Sequence, residues 1–515
     1  MKILIYVELH PIRDRFESFS FVAKKFVEML REEYLYGRGS PDPYDIRILI
    51  SRHYSNVQSS NEDMASIFLG LTKDENDKIE SYRRSWSEDP ESIRLWKELM
   101  KGDGEVSSFY SSILERVHEN VFPFDVLINW STNGAVRGFC ERRGIDNVSL
   151  ELGCTRAPIY DSAYVDALGV NGGSITKYIN LDMIPTFDVC SVRTQLPLTG
   201  LHHSEWDGLN SPILSKHAAE IYQDPDRNVL IPLQLKDDSN CILYSSYCSM
   251  EDFLNDVLPR LIENGYRCFV KPHPAASDRK INKDDHEKCR EIVEAHLDHV
   301  FWLDDISPKK DYISLLNKMN FVVTVNSSIG FEAMLCGGRA IVMGDAPYKI
   351  GAGYPSLEDV LNGTFCRYKY RELSAKIVGL FLSHYLVPLD FLFRYKYFIE
   401  YIFNAVQAKN LYFRHGDIAL TECLTKNNYI NYSIKCQLLN KSGIRSRFAN
   451  VNRSAISIKY SPKVPVHKIG GFVKNTKLSW SRKKWIKLRR DPAKFFIDSN
   501  NPIFRRIGLI LGGRP

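Results

Sequence analysis

The chain has 515 residues, of which 44% are apolar and 12% aromatic, so it is long enough for two or three domains with buried cores. It has no run of about 18 uncharged apolar residues, and its 11 cysteines include no Cys-x-x-Cys pair. The composition argues against a membrane span, a disulfide framework and a structural zinc site, and it predicts a reduced, cytoplasmic setting. The net charge of +6 hides a strongly basic C-terminal segment.

Apolar runs of strand length alternate with amphipathic stretches along the first 195 residues. The runs lie at residues 2–9, 44–51, 125–130 and 147–151. The alternation stops between about 195 and 227, where prolines and acidic residues replace any strand pattern, and this predicts an interdomain linker. It resumes with runs at 228–233, 266–271, 300–303, 321–326 and 339–344.

These patterns predict an α/β protein of two doubly wound, Rossmann-like domains that face a cleft. We place the domains at residues 1–195 and 228–370. Residues 371–410 are predicted to form helices that pack back on the body of the protein and cross to its N-terminal half. Residues 411–515, called the basic tail below, are predicted to be partly helical.

A serine-rich turn follows the apolar run at 321–325. Residues 326–333 read Asn-Ser-Ser-Ile-Gly-Phe-Glu-Ala, which places hydroxyl and N–H groups at the positive end of a helix dipole. We therefore predict that Ser327 and Ser328 bind a phosphate and that Glu332 accepts hydrogen bonds from ribose hydroxyls. The alternative is an ordinary serine N-cap, although Glu332 lies four residues after Ser328 and a capping box needs three.

A second polar segment, residues 269–274, reads Phe-Val-Lys-Pro-His-Pro. Its two prolines fix the backbone around His273 at the carboxyl edge of the second sheet, where open α/β folds bind their ligands. We predict that His273 donates to a leaving phosphate and that Lys271 belongs to the same nucleotide site. The alternative is a structural histidine.

The Lys-Pro-His-Pro segment, followed roughly fifty residues later by Ser-Ser-Ile-Gly-Phe-Glu-Ala, resembles the paired signature of CMP-sugar-dependent GT-B glycosyltransferases of capsule and lipopolysaccharide assembly. Within that group the chain is most similar to the bacterial β-Kdo glycosyltransferases. Two further segments carry this similarity, Pro-Leu-Gln-Leu-Lys-Asp-Asp-Ser at 232–239 and Glu-Leu-Gly-Cys-Thr-Arg-Ala-Pro at 151–158. With Asp-Ala-Leu-Gly-Val-Asn at 166–171, the resemblance covers about residues 125–355.

The resemblance implies transfer of Kdo from CMP-Kdo with retention, by double displacement. The nucleophile would be the carboxylate of the Gln-x-x-x-Asp segment, here Asp238, with Asp237 as its rival, and Gln234 would bind substrate. Glu151 would be the acid/base that activates the acceptor hydroxyl, since double displacement needs one nucleophilic and one proton-transferring carboxyl. Without the resemblance, a solvated turn for the two aspartates and a buried ion pair for Glu151 are the simpler interpretations.

Four more residues are candidates for substrate binding. Arg156 is predicted to pair with the carboxylate of the donor sugar, because a guanidinium matches a carboxylate bidentately, and a surface arginine is the alternative. Asn133 and Asp166 are secondary candidates, together with Asn171, because they lie in segments expected at the edge of the cleft.

We predict no metal and no other cofactor, because His273, the serines and a helix N-terminus can balance the charge of one departing phosphate. Residues Asp224-Pro-Asp226 match the Asp-x-Asp pattern of metal-dependent glycosyltransferases. That match falls in the linker, where any acidic loop produces it by chance.

The basic tail carries 22 Lys+Arg against 4 Asp+Glu, which leaves 46 against 58 in residues 1–410. Its residues 480–496 mix Trp and Phe with cations at helical spacing, and the run Lys-Leu-Arg-Arg-Asp-Pro-Ala-Lys-Phe-Phe resembles a C-terminal segment of other surface-polysaccharide glycosyltransferases. The tail is therefore predicted to dock the enzyme on the anionic inner face of the cytoplasmic membrane, beside a lipid-linked glycan acceptor. A solvated tail is the alternative, and no RNP, KH or zinc-finger pattern supports nucleic acid as the partner.

Two other functions stay open at the level of sequence. Sialyltransferases and CDP-glycerol-dependent polymer synthases have similar His-Pro and Ser-rich signatures, so another cytidine-nucleotide transferase is the first alternative. A non-catalytic subunit that assembles other enzymes on the membrane through its tail is the alternative from a different class. Loss of Glu151 or Asp238 would leave the cellular role of such a subunit intact.

Overall fold

The computed structural model describes residues 1–9, 17–36, 44–59, 62–85, 90–156, 159–188, 212–306, 311–351, 353–364 and 366–426. The chain divides into two compact units, Met1–Ala449 and Asn450–Pro515, and all of these residues lie in the first. The part of the basic tail beyond residue 426 lies outside the described ranges. The membrane docking predicted for the tail therefore lies outside them too.

Seven strands form the first sheet. They are β1 Lys2–Tyr6, β2 Asp45–Ile50, β3 Phe68–Gly70, β4 Val126–Trp130, β5 Asp146–Leu152, β6 Ser162–Asp166 and β12 Val387–Pro388. Their order is β12-β6-β5-β4-β1-β2-β3, and the five strands from β5 to β3 run parallel. The strands β6 and β12 join as antiparallel additions at one edge.

Strand β1 shows why this sheet is covered on both faces. Ile3 and Ile5 belong to one apolar cluster and Leu4 and Tyr6 to another, so alternate side chains enter cores on opposite sides of the sheet. The helices of this half are α1 Glu17–Tyr36, α2 Ser55–Ser59, α3 Lys73–Ser85, α4 Pro90–Lys101, α5 Gly104–Asn120 and α6 Gly134–Arg143.

The second sheet is entirely parallel. Its strands are β7 Asn228–Pro232, β8 Arg267–Lys271, β9 Val300–Trp302, β10 Phe321–Thr324 and β11 Ala340–Val342, in the order β11-β10-β7-β8-β9. Its helices are α7 Ala218–Gln223, α8 Ser239–Tyr244, α9 Met250–Glu263, α10 Lys280–Glu294, α11 Tyr312–Asn317, α12 Ser328–Leu335 and α13 Leu357–Leu361.

Both sheets therefore have the doubly wound strand order, with a topological switch point between β1 and β4 in the first and between β7 and β10 in the second. Ligands of open α/β sheets bind at the carboxyl ends of the strands beside such a switch point. The predicted fold, two Rossmann-like domains facing a cleft, is confirmed.

The chain returns to the first sheet after the second. Helix α14 Arg367–Leu380 contacts α12, and the following turn leads into β12, α15 Leu389–Leu392 and α16 Tyr395–Lys426. Helix α16 contacts α1, β5 and β6, and it is interrupted at Gly416, where φ is +77°. The predicted crossing to the N-terminal half is thus observed, although the helix continues past residue 410, where we had placed the start of the tail.

All nine strands predicted from the apolar runs are present, whereas β3, β6 and β12 were not predicted. Among the residues that the structure describes, no helix combines the length and the hydropathy needed to cross a bilayer.

Candidate active site

A cleft of about 1250 Å³, measured with its solvent-open part, lies where the carboxyl ends of the two sheets meet. The first half of the protein supplies residues after β5 and near β6, and the second half supplies the residues that follow β7, β8 and β10. The polar residues that line it are Arg156, Tyr164, Asn171, Gln234, Asp238, Asn240, Lys271, His273, Tyr312, Asn326, Ser327, Ser328, Glu332 and Tyr348. The four segments that carry the family resemblance therefore converge on one cavity.

At the switch point of the second sheet, the side-chain amide of Gln234 forms two reciprocal hydrogen bonds with Asn326. Gln234 Nε2 donates to Asn326 Oδ1 over 2.8 Å, and the Asn326 N–H donates to Gln234 Oε1 over 3.0 Å. Asn326 Nδ2 also donates to the Asn240 carbonyl over 2.9 Å. Gln234 thus lines the cleft as predicted, but its side chain ties the loop after β7 to the loop after β10.

The structure separates the two aspartates that the sequence left as rivals. Asp237 is 3% exposed, and its carboxylate accepts hydrogen bonds from Arg279 Nη1 and, over 2.9 Å, from Asn282 Nδ2. Asp238 lines the cleft at the N-cap of α8, where its Oδ1 accepts from the Asn240 N–H over 2.9 Å. Of the two, Asp238 is therefore the one that lines the cleft, while Asp237 is held in a buried ion pair.

Glu151 comes from the opposite sheet, on β5, directly before the cleft-lining Leu152. Burial raises the pKa of Glu151, hydrogen bonds from the Leu152 N–H and from Ser131 lower it, and the charges of Arg156 and Asp238 act in opposite directions. Ser131 has a φ of +68°, a conformation that only a few per cent of non-glycine residues adopt. Ser131, directly after β4, is therefore a strained residue that hydrogen-bonds the Glu151 carboxyl, and the charge of Asp238 acts on the same carboxyl.

Glu332 connects the two halves of the protein across the cleft. Its Oε1 accepts from the Arg156 backbone N–H over 2.9 Å, and its Oε2 accepts from the Tyr312 hydroxyl. Burial raises the pKa of Glu332 to about 7, against the lowering effect of these hydrogen bonds. The Arg156 guanidinium itself donates to the backbone carbonyls of Gly153 and, over 2.8 Å, of Thr155, so it is fixed within its own turn at the cleft wall.

The other wall presents groups suited to an anion. Helix α12 begins here, with Ser327 as its N-cap and Ser328 as its first residue; the Ser327 hydroxyl accepts from the Ile329 N–H over 3.3 Å. The serine cap considered in the sequence is therefore present, and the helix still points its positive end at the cleft. Lys271 is 9% exposed at the same cavity; burial lowers its pKa and the charge of Glu332 opposes this.

The tautomer of His273 follows from its backbone environment. Its Nδ1 accepts from the Ala275 N–H over 3.1 Å, so a neutral imidazole carries its proton on Nε2. The Pro-His-Pro segment thus places His273 at the cleft, and its donation to a leaving phosphate stays a prediction.

Two predicted residues lie elsewhere. Asn133 is the N-cap of α6: it accepts from the Val136 N–H over 3.1 Å and donates to Glu8 over 2.8 Å at the switch point of the first sheet. Asp166 accepts from three backbone N–H groups of residues 168–175 and from Tyr385, and lines a separate small cavity. Neither side chain lines the cleft, and both are hydrogen-bonded to other parts of the protein, so the structure gives no contact that supports their predicted role in substrate binding.

The Asp-x-Asp match is likewise explained by local structure, since Asp226 forms an ion pair with Arg367. In the described part of the chain, no three His, Cys, Asp or Glu side chains gather as potential metal ligands.

Several residues of the site were not predicted. Tyr312 lies in a helix that contains no motif. Ser131 is notable for its backbone conformation, which the sequence does not show. Neither residue therefore has a sequence signal. Asn171 was only a secondary candidate. It is 7% exposed with φ +57°, its Oδ1 accepts from the Tyr164 hydroxyl over 3.2 Å, and its Nδ2 has no hydrogen-bond partner among the described residues.

Residues 208–354 match the family model described as "Capsule polysaccharide biosynthesis protein". This range contains the segments that begin at Pro232, Lys271 and Ser327, so the resemblance of this half of the cleft to proteins of capsule assembly is confirmed. The match covers less than half of the chain and does not include Glu151. The search of curated proteins finds no match to the sequence.

Solved structures resemble the chain more loosely. The β-Kdo 2,4 transferase of Thermosulfurimonas dismutans KpsC is 18% identical, with 49% of this chain and 79% of that chain covered and a TM-score of 0.32. The β-Kdo 2,7 transferase of the same protein is 14% identical, with 75% and 92% covered and a TM-score of 0.33. A putative UDP-N-acetylglucosamine 2-epimerase of Listeria monocytogenes is 10% identical, with 80% and 96% covered and a TM-score of 0.30. At such values these likenesses carry no argument about activity.

Proposed function

We propose that the protein is a glycosyltransferase of surface-polysaccharide assembly that moves Kdo from CMP-Kdo to a lipid-linked glycan with retention. One observation carries this proposal: Asp238 lines the cleft from the second half of the protein, and Glu151, directly before the cleft-lining Leu152 of the first half, lies close enough for the charge of Asp238 to act on it. A glycosyl transfer by double displacement needs such a pair of carboxyl groups.

The phosphate of CMP is assigned to the wall formed by Lys271, His273 and the start of α12. A lysine ammonium, a His273 Nε2–H donor and a helix N-terminus all stabilise the negative charge that develops as the phosphate leaves. Glu332, one turn into α12 and lining the same cavity, is assigned to a ribose hydroxyl. The cytidine base and the Kdo identity rest on the resemblance of the four segments.

In the first step the Asp238 carboxylate attacks the anomeric carbon, the bond to the CMP phosphate breaks, and a glycosyl ester forms. In the second step Glu151 takes the proton of the acceptor hydroxyl, whose oxygen displaces Asp238. Asp238 acts as a carboxylate, and its hydrogen bond from the Asn240 N–H at the start of α8 holds it at the cleft. Burial raises the pKa of Glu151 and so suits it to proton transfer near neutral pH.

Kdo carries its own carboxylate, which is assigned to the turn at Arg156. Two guanidinium hydrogen bonds already fix this side chain to backbone carbonyls, so it meets a ligand with little loss of conformational entropy. Asn171, with its unpaired Nδ2 donor, is a second group for a sugar oxygen on the same wall.

We further propose that the basic tail brings the enzyme to the anionic inner face of the cytoplasmic membrane, where a lipid-linked acceptor is held. The tail has 22 basic residues and 4 acidic ones, which supports electrostatic attraction to anionic lipid. No metal is assigned to the reaction.

A donor screen tests this function. Purified protein is offered CMP-Kdo, CMP-sialic acid, CDP-glycerol and UDP-sugars, each with a lipid-linked acceptor and with or without a chelator, and nucleotide release is measured. Acceptor-dependent release of CMP from CMP-Kdo alone, unchanged by the chelator, is expected. Turnover of another donor overturns the Kdo assignment, and turnover of none favours the non-catalytic assembly subunit.

A further inference from the structure

Helix α10 follows β8 in the chain, and none of its residues lines the cavity. The buried side of a surface helix is ordinarily apolar. Here its start instead carries buried polar residues, with Arg279 8%, Asn282 1% and His286 5% exposed. Buried polar groups are costly unless they are hydrogen-bonded, so their partners indicate what they do.

The first set of contacts reaches the loop after β7. Arg279 Nη1 and Asn282 Nδ2 both donate to the carboxylate of Asp237, which is the neighbour of Asp238 in the chain. The side chains of Arg279 and Asp237 are 8% and 1% exposed, so solvent does not compete for this ion pair. Because Asp237 is fixed, the turn that presents Asp238 to the cleft is fixed with it.

The second set of contacts reaches the loop after β8. The carbonyl oxygen of Asn282 lies 3.0 Å from His286 Nδ1, and His286 Nε2 lies 3.3 Å from the His273 backbone nitrogen. A carbonyl can only accept and a backbone N–H can only donate, so His286 is neutral, with its proton on Nδ1. Burial lowers the pKa of His286, which agrees with this state.

Asn282 thus belongs to both sets of contacts, through its amide to the Asp238 turn and through its carbonyl and His286 to the His273 segment. We propose that Arg279, Asn282 and His286 are positioning residues that hold the nucleophile Asp238 and the phosphate donor His273 in fixed relation to each other. The roles of Asp238 and His273 rest on the proposed function. Displacement chemistry needs both groups placed within about 1 Å, because such a misplacement from a distant mutation costs up to about 100-fold in rate.

The test compares two substitutions at His286 and one at Asn282 with a control on the same helix. His286→Leu removes the acceptor for the His273 N–H, and His286→Gln keeps a side-chain oxygen that can accept the same bond. Asn282→Leu removes the amide from Asp237. Lys283→Ala, on the exposed side of the same helix, is the control.

With whichever nucleotide sugar the wild type turns over, we expect kcat to fall at least about tenfold in His286→Leu and Asn282→Leu. Donor KM should change less than about threefold, and His286→Gln should recover most of the lost kcat. Lys283→Ala should match the wild type. Unchanged kcat in both leucine variants overturns the proposal, as does a loss in His286→Gln equal to that in His286→Leu, or a loss of kcat that only follows the melting temperature across the variants.

Crystal structures of the two leucine variants separate this proposal from the proposed function. Displacement of the Asp238 turn in Asn282→Leu and of the His273 segment in His286→Leu supports the positioning role, whichever donor is used. Unmoved segments overturn it. A wild-type protein without turnover of any donor contradicts the proposed function and leaves these structural outcomes decisive for the positioning role.

Discussion

Glu151 lies on β5 of the first sheet and Asp238 at the start of α8, after β7 of the second sheet, 87 positions later in the chain. The negative charge of Asp238 contributes to the raised pKa of Glu151, whose main cause is burial. Each carboxyl is anchored by its own half of the protein, Glu151 by Ser131 and Leu152, and Asp238 by the start of α8. The relative position of the two sheets therefore decides whether these groups act together.

The pH dependence of turnover follows from this relationship. Glu151 must be ionised to accept a proton from the acceptor, so kcat is lost as the pH falls through its pKa. Because burial raises that pKa, we expect the acid limb of the kcat profile above the ordinary glutamate value of about 4.3. A kcat profile from pH about 4 to 9 measures it, and Glu151→Gln should lose most activity together with the limb. Full activity of the wild type at pH about 4 would be inconsistent with this role.

The raised pKa of Glu332 predicts that the stability of the wild type relative to Glu332→Gln depends on pH. Its pKa is about 7 in the folded protein against 4.5 in the unfolded reference, so the folded state favours the protonated form. The resulting stabilisation is complete below about pH 4.5 and is lost as the pH rises through about 7, with a size of about 3 kcal/mol. Glu332→Gln removes this titration.

Urea unfolding of the wild type and Glu332→Gln between pH 5 and about 8.5 measures the difference. The wild type should lose stability relative to the variant as the pH increases. A difference that is independent of pH would show that Glu332 has an ordinary pKa.

Asn171 is expected to contact the sugar. Asn171→Gly removes the amide and accepts the φ of +57° without strain, and the buried Tyr164 hydroxyl loses its acceptor, so stability should fall by about 1–3 kcal/mol. We expect the KM for the intact donor to rise about 5- to 20-fold, the value of one lost hydrogen bond, while inhibition by free CMP stays the same. An equal loss for donor and CMP would instead assign Asn171 to the nucleotide, and no loss would exclude it.

Gly172 tests the contact between the halves. A Cβ at this position would lie 2.6 Å from the ring of Tyr244 and 2.7 Å from Cβ of Asp345, and Tyr244 ends the helix that Asp238 begins. Gly172→Ala should therefore displace α8, lower the free energy of unfolding by about 1–3 kcal/mol and reduce kcat. Gly70→Ala meets nothing within 4 Å and is the matched control. Equal melting temperatures and kcat for the two variants would contradict this packing.

The sequence was sufficient for the fold because the parallel strands are buried on both faces and appear as continuous apolar runs, as in β7 and β10. Strand β6 escaped prediction because Ser162 and Asp166 break such a run, and β12 because it has only two residues. Both pair antiparallel at the sheet edge, where tertiary contacts rather than local pattern decide the strand.

The candidate site was predicted where a motif fixes the backbone, as at His273 and Ser327. It was not predicted where a distant partner decides the role of a side chain. Asp237 and Asp238 are equivalent in sequence until Arg279 pairs with one of them, and Asp166 resembles a cleft residue until the loop at 168–175 folds around it.

The most direct measurement of the central claim is acceptor-dependent CMP release from CMP-Kdo by the wild type, Asp238→Asn and Asp237→Asn. The account predicts that Asp238→Asn keeps its melting temperature and its affinity for CMP but loses turnover by at least about 1000-fold. Asp237→Asn, which leaves Arg279 buried without its ionic partner, should lose about 3–5 kcal/mol of stability. Normal turnover by Asp238→Asn would contradict the account.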